Sequence, residues 1–363
     1  MVWAPTTEQL LNLDGVRRRA DSFRFELCDR ELRPIGELHP DRAGATPSIS
    51  NDVDSSASRQ LSGFKLLPDE ATDVNTKSDR LRVYMVLQNE VEFRLGTFLW
   101  ADQNRPRRSW GEEHHSELLD FGYILDQQST RAFGWGRGAT ILLIMVFLCN
   151  RAGFEHARLD LPFGPEASRG LAEPLSWEPG ATWIQMLTDL GAIVGFADPW
   201  FDRDGLLHFD QAPDPEVVQP TIPAYEDGTR VIADSIVPSD DFLRAPNDFA
   251  VFDSGTGRLR SGRYQIPSSA PHSFAERGFR IGQVENVQGL ANQAQATRGA
   301  RNLARSGDAF EHLVFSSTLD PRHDTHDVVV AFGQRWLETG WSMELRSGGL
   351  MQHTMKRVTY DVT

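Results

Sequence analysis

Residues Gly180 to Phe209 read GATWIQMLTDLGAIVGFADPWFDRDGLLHF, and the fold is decided in this stretch. Thr182 is placed to cap a helix with its hydroxyl, and Gln185, three residues on, completes a capping-box arrangement. Trp183, Ile184, Leu187, Leu190 and Val194 then share one helical face. Gly195 stops the helix. Phe196 to Phe209 reads as a hairpin with Asp204 and Gly205 at its tip, a strong turn pair. The stretch is therefore a small α/β unit, one helix followed by two short strands.

On its N-terminal side, Ala139 to Asn150 has too many adjacent apolar residues for a helix with one wet face, and Gly153 stands where a helix C-cap belongs. A buried helix is expected there. Earlier still, Ser22 to Leu27, Leu81 to Leu87, Val91 to Trp100 and Leu118 to Gln127 carry the alternation of strands. The glycine-rich run Gly134 to Gly138 reads as a joint between these strands and the buried helix. On the C-terminal side, prolines 213, 215, 220 and 223 fit neither helices nor central strands and mark a boundary. Strand signals follow at Arg230 to Val237 and Asp248 to Phe252, with a helix near 284–305 closed by Gly307. Further strands are expected at His312 to Ser316, Val328 to Phe332, Trp341 to Leu345 and His353 to Tyr360.

Leu66 to Leu87 and Phe315 to Phe332 both pass from apolar residues through an Asp-rich loop into a strand, a faint internal repeat. The expected fold is mainly β with α+β modules: two related β-barrel domains flanking an inserted helix-plus-hairpin unit. The expected units are 1–138, 139–215 and 216–363, the last with the helix near 284–305 inserted in it. A chain of 363 residues is long enough for several such cores.

The composition, 40% hydrophobic and 24% charged, is that of a folded soluble protein. A formal charge of -14 disfavours non-specific DNA binding, which depends on Lys and Arg releasing counterions. It suits the wall of a conduit past which DNA must slide. Cys28 and Cys149 form neither a disulfide framework nor a zinc pattern, which points to a reducing compartment. The N-terminus has no secretory pattern, and the apolar run Ile141 to Cys149 is less than half of the roughly 20 residues that span a bilayer.

Few residues look chemical. His323, Asp324, His326 and Asp327 (HDTHD) are types that bind zinc, yet a loop entering a strand is the simpler reading. Asp202, Asp204 and Gly205 resemble the start of a calcium loop without its later ligands, so a hairpin turn is favoured. His114 and His115 with Glu112 and Glu113 sit in a polar segment that reads as a solvated edge. No G-x-S-x-G, H-E-x-x-H or Walker loop is present. Arg105, Arg107 and Arg108 beside Trp110 form a basic cluster suited to docking an acidic neighbour. Trp100, Trp336 and Trp341, on or near predicted strands, join them as candidate interface residues. No catalytic, cofactor-binding or metal-binding residue is assigned.

The stretch 180–209 resembles the helix-plus-hairpin block of phage tail-tip (baseplate) hub proteins, also called minor tail proteins. Pro246 to Asp253 (PNDFAVFD) agrees, as does Ser317 to Asp327 (STLDPRHDTHD) leading to Trp341 to Val358 with Gly348, Gly349, Met351 and His353. These blocks are spread across the chain from Ala139 onward. The resemblance implies a structural virion protein without enzyme activity or cofactor, three copies forming a ring of six barrels at the tail tip. It implies contact with a tail-tube or distal-tail ring on one side and a tape-measure terminus, central fibre or spike on the other. DNA passes through during ejection, the parts having been assembled in the host cytoplasm. The chain ends with the second barrel, so lytic or fibre activities are expected on separate proteins. Two alternatives are a cell-wall or carbohydrate-active enzyme, which needs paired carboxylates in a cleft, and a glycan- or receptor-binding tail module.

Overall fold

The computed structural model describes residues 21–357 except 41–45, 67–70, 72–73, 88–90, 105–106, 109–110, 113, 155–158, 161–168, 212, 216, 227–229, 233–235, 241–242, 254–259, 288–289, 291 and 307–310. Gly307, Arg105 and Trp110 therefore lie outside the described residues.

Twelve strands form one large sheet. We number them β1 (Asp21–Cys28), β2 (Pro34–Leu38), β3 (Ser48–Asp52), β4 (Arg59–Leu66), β5 (Arg80–Leu87), β6 (Val91–Asn104), β7 (His114–Leu119), β8 (Val237–Asp240), β9 (Glu311–Thr318), β10 (Val328–Ala331), β11 (Gln334–Glu344) and β12 (Leu350–Arg357). Their order is β8-β9-β12-β11-β3-β4-β7-β6-β5-β1-β2, with β10 beside β11. The mainly β fold expected from the alternation is thus present, and its two halves are continuous. β11 pairs antiparallel with β3, from Gly340 opposite Asp52 to Glu344 opposite Ser48. Two isolated bridges add to the C-terminal strands, Tyr225 with Ala331 and Val231 with Ser317.

Inward side chains of the first half, including Phe25, Phe64, Leu81, Val83 and Phe98, pack with Trp341, Met343 and Met351 from β11 and β12. Tyr225, Leu313, Phe315, Val329 and Trp336 fill the second half. A third core lies between them, built on α1 (Ile141–Ala152) and α2 (Trp183–Val194). Both helices end as their glycines require, Gly153 at φ 107° and Gly195 at φ 86°. The Thr182 hydroxyl accepts the Gln185 amide at 3.2 Å, as the capping pattern predicts.

Three expected elements differ. Strand β7 stops at Leu119, because the buried Asp120 carboxylate accepts the Gly122 amide at 2.9 Å and starts a helical turn, Gly122–Leu125. Of Arg230 to Val237, Val231 makes an isolated bridge and β8 begins at Val237. Within 284–305, Gly282–Asn286 is a strand, parallel to Asp248–Asp253, and the helix is α3 (Gln293–Ser306). Val251 packs on α3, and Ala296, Ala300 and Ala304 enter the core of α1 and α2, not the core of the second half. Small side chains allow this close approach: a Cβ on Gly262 would lie 2.0 Å from the Thr297 amide nitrogen.

Candidate functional site

The loop 319–327, which joins β9 to β10 and contains the HDTHD motif, is where the three cores meet. Asp320 and His323 are buried in it, at 1% and 4% exposure. Burying ions is costly, so their partners decide whether the loop is stable.

Asp324 is the junction. It takes Arg59 from β4 as an ion pair and Arg203 from the hairpin at 2.9 Å. Burial alone would raise its pKa, but the two guanidiniums hold it well below the usual carboxylate range. Arg203 also donates to the carbonyls of Pro321 at 2.8 Å, Arg322 at 2.7 Å and His323 at 3.3 Å, so one side chain grips the loop backbone. Asn51 of β3 donates to the Thr325 hydroxyl at 2.8 Å. The Trp341 indole donates to the Asp324 carbonyl at 3.4 Å. At the loop's far side Asp327 accepts the Asp324 amide at 2.6 Å and is pushed up to about 7, chiefly by burial.

Asp320 is held by Arg230 at 2.6 Å and by Arg322 at 2.7 and 2.9 Å. Its pKa is depressed because these contacts outweigh a large desolvation cost. Beyond it, Glu338 of β11 accepts from His323 Nδ1 at 2.5 Å and from His353 Nδ1 at 2.7 Å. The outer nitrogens are also engaged: Tyr225 Oη lies 2.7 Å from His323 Nε2, and Ser317 Oγ lies 2.8 Å from His353 Nε2. Burial lowers His323 to about 4, lowers His353 and raises Glu338.

Two histidines and a glutamate are a donor set that zinc accepts. These three ligand atoms lie within 4.8 Å of one another, yet each ring nitrogen and each carboxylate oxygen already faces a protein partner at hydrogen-bond distance. The arrangement does the work of a structural polar network, tying β9, β11, β12 and the loop together. It is sealed from solvent, so it offers a substrate no approach.

The hairpin locks from the other side. Arg94 of β6 pairs with Asp204, and Thr97 donates to the Arg203 carbonyl at 3.1 Å. Asp202 accepts the amides of Asp204 and Leu206 at 2.9 Å each, so the two aspartates of the calcium-like pattern build and dock the turn. His208 stacks on Trp200 with ring centroids 4.4 Å apart, and lies 3.1 Å from both Asp202 and Asp160.

Of the residues singled out in the sequence, HDTHD does form the junction, but its partners are distant ones that no local pattern marks: Arg59, Arg203, Tyr225, Glu338 and His353. Arg59 and Glu338 lie in strand segments that the alternation did not mark, so the sequence carried no signal for them. Trp336 and Trp341 are interior side chains, 7% and 4% exposed, which corrects their assignment to an intersubunit surface. Their indoles donate to the Ala331 and Asp324 carbonyls, and the pairing of β11 turns them inward. Trp100 is half-buried and edge-on to Phe64 at 5.9 Å. Arg107 and Arg108 lie in a two-residue strand opposite Gly111–Glu112. His114 and His115 stand on β7, paired to β4.

No protein-family model matches the chain, and no curated protein matches its sequence. Solved structures do. A tail protein from Neisseria meningitidis aligns with a TM-score of 0.64 at 14% identity, over 94% of this chain and 98% of that one. The 43 kDa tail protein of prophage MuSo2 from Shewanella oneidensis aligns with a TM-score of 0.59 at 11% identity, over 92% and 98%. A prophage tail protein of Listeria monocytogenes aligns with a TM-score of 0.56 at 14% identity, over 93% and 96%. The chain has the fold of these phage tail proteins over more than nine-tenths of its length.

Proposed function

We propose that this protein is a structural, non-enzymatic component of a phage-type tail, the hub at the tail tip. Three copies form a ring that joins the tail tube to a distal fibre or spike and surrounds the path of DNA during ejection. The observation that carries the reading is correspondence along nearly the full length of both chains with phage tail proteins, not over one shared module. The loop 319–327 supports it. Ion pairs and hydrogen bonds fasten the first half, the hairpin and the second half to one another, as a load-transmitting ring subunit needs. The partners in this reading are two further copies, a tail-tube or distal-tail ring, a tape-measure terminus and a central fibre or spike. The net charge of -14 keeps a passing phosphate backbone from sticking. No helix among the described residues is long and apolar enough to cross a membrane.

The test is the particle mass of the purified chain by light scattering, with negative-stain averages of the same sample. A trimer with a central hole is the expected result, in keeping with the closed symmetry of most homo-oligomers. A monomer that also fails to co-assemble with the neighbouring tail proteins overturns the reading.

A further inference from the structure

Arg131 to Arg137 reads RAFGWGR, and the strand Phe133–Trp135 gives this run its meaning. Alternate residues of an extended chain point to one side. Phe133 and Trp135 therefore share one side, with Gly134 on the other, and the exposed Arg131 and Arg137 flank the strand at its two ends. The rings of Phe133 and Trp135 stack, their centroids 6.0 Å apart and planes 12° from parallel. Beside them runs a second row on α1: Leu143, Phe147 and Arg151, four residues apart and so on one helical face. The rows touch, with Phe147 edge-on to Trp135 at 5.7 Å and to Phe133 at 6.1 Å. Arg151 lies over the Phe147 ring at 5.1 Å. Leu143 is 67% exposed and Phe147 38%, unusual for the middle of a helix whose other face is core. Among the described residues Arg131, Arg137 and Arg151 make no ion pair.

We propose that this cationic, aromatic face docks a short acidic segment of another protein, one that carries apolar anchor residues. Charge argues for the acid. Arg131, Arg137 and Arg151, without an ion pair among the described residues, are local positive charge on a molecule of net charge -14, which orients an acidic partner here and repels it elsewhere. The exposed Leu143 argues for aliphatic anchors. A neutral glycan would use the rings and leave the cations idle, and a nucleic acid would meet the repulsion of the whole chain. Size argues for a segment. The three-residue strand is about 10 Å long and the helix row beside it about 12 Å. A patch only about 12 Å long offers far less than the roughly 800 Å² per partner of a stable domain-to-domain contact. A single helix or strand laid along the rows covers it.

The probe is a fluorescein-labelled peptide of about fourteen residues, roughly 20 Å as a helix, made of glutamate and alanine with leucines three and four apart. A second peptide replaces each glutamate by lysine. With the full-length chain, the acidic peptide is expected to bind about tenfold or more tighter than the basic one, and to weaken with salt. Leu143→Glu, and separately Arg131→Glu with Arg137→Glu, should each weaken it by about fivefold or more, as loss of a hot spot does. These side chains are exposed, so thermal melts of the variants should match the parent. Equal binding of the two peptides overturns the proposal, as does indifference to the substitutions. Tighter binding of an oligothymidylate or a neutral oligosaccharide also overturns it. So does a self-association that Leu143→Glu abolishes, because the occupant would then be a second copy. None of these outcomes bears on ring formation, which the light-scattering test decides separately.

Discussion

Replacing Asp324 by alanine isolates the junction. Arg59 is 1% exposed, and its Nε and Nη1 have no hydrogen-bond partner among the described residues, so Asp324 is the carboxylate that pairs directly with its buried charge, with Asp120 acting on it at longer range. Removing one member of such a pair costs about 3–5 kcal/mol, because the other is left charged in a poor solvent. Arg203 suffers less, since it keeps three carbonyl acceptors. Removing both charges with Arg59→Met and Asp324→Leu should recover at least half of the loss, a coupling of about 2 kcal/mol or more in a double-mutant cycle. The assay is urea unfolding followed by far-UV circular dichroism and by tryptophan fluorescence, which Trp341 ties to this loop. Agreement of the two probes licenses a free energy for a chain with three cores. The acid limb gives a second readout. Asp324 titrates lower in the folded protein than the roughly 3.9 of an unfolded chain. Its stabilisation is therefore complete above about pH 4 and lost as pH falls through the folded value, and the alanine variant should show a shallower acid limb. A loss below about 1 kcal/mol, the range of an exposed pair such as Arg346 with Glu344, would refute the reasoning. So would a double variant as unstable as the sum of the single ones.

Asp327 behaves oppositely. Burial pushes it up to about 7, so it destabilises the fold progressively from about pH 4 to pH 7 as the unfolded chain ionises. Asp327→Asn should gain over the parent in stability at pH 8 and not at pH 4, and a pH-independent difference in urea midpoints would contradict this. Glu338→Gln should cost about 2–4 kcal/mol, since its amide must turn a donor toward an imidazole that now donates, and thermal melts will measure it. Because the histidines are already engaged, excess EDTA should leave the melting temperature of the parent unchanged; a large drop would mean that the His323, Glu338 and His353 cluster holds a metal. Gly205→Ala should destabilise by about 2 kcal/mol or more: the backbone there has φ 79°, and the added Cβ would sit 2.5 Å from the Phe121 ring.

The contrast between the two kinds of reading is physical. The sequence by itself determined the mainly β character, the two apolar helices, their glycine ends, the Thr182 cap and the hairpin around Gly205. Each depends on contacts within a few residues, where alternation, turn geometry and capping act directly. It also marked HDTHD as unusual without revealing what engages it. Only the tertiary structure decided that Gly282–Asn286 is a strand, since a short polar segment takes the form of the edge it pairs with. Only it decided that Trp336 and Trp341 face inward, because a strand's partner sets its register and a slip of one residue reverses every side chain. The Arg59 and Asp324 pair joins residues 265 positions apart, and the seam of β3 with β11 spans a similar distance. Such contacts leave no periodic trace. They exist because a buried charge must find its opposite wherever the packed cores bring one within reach.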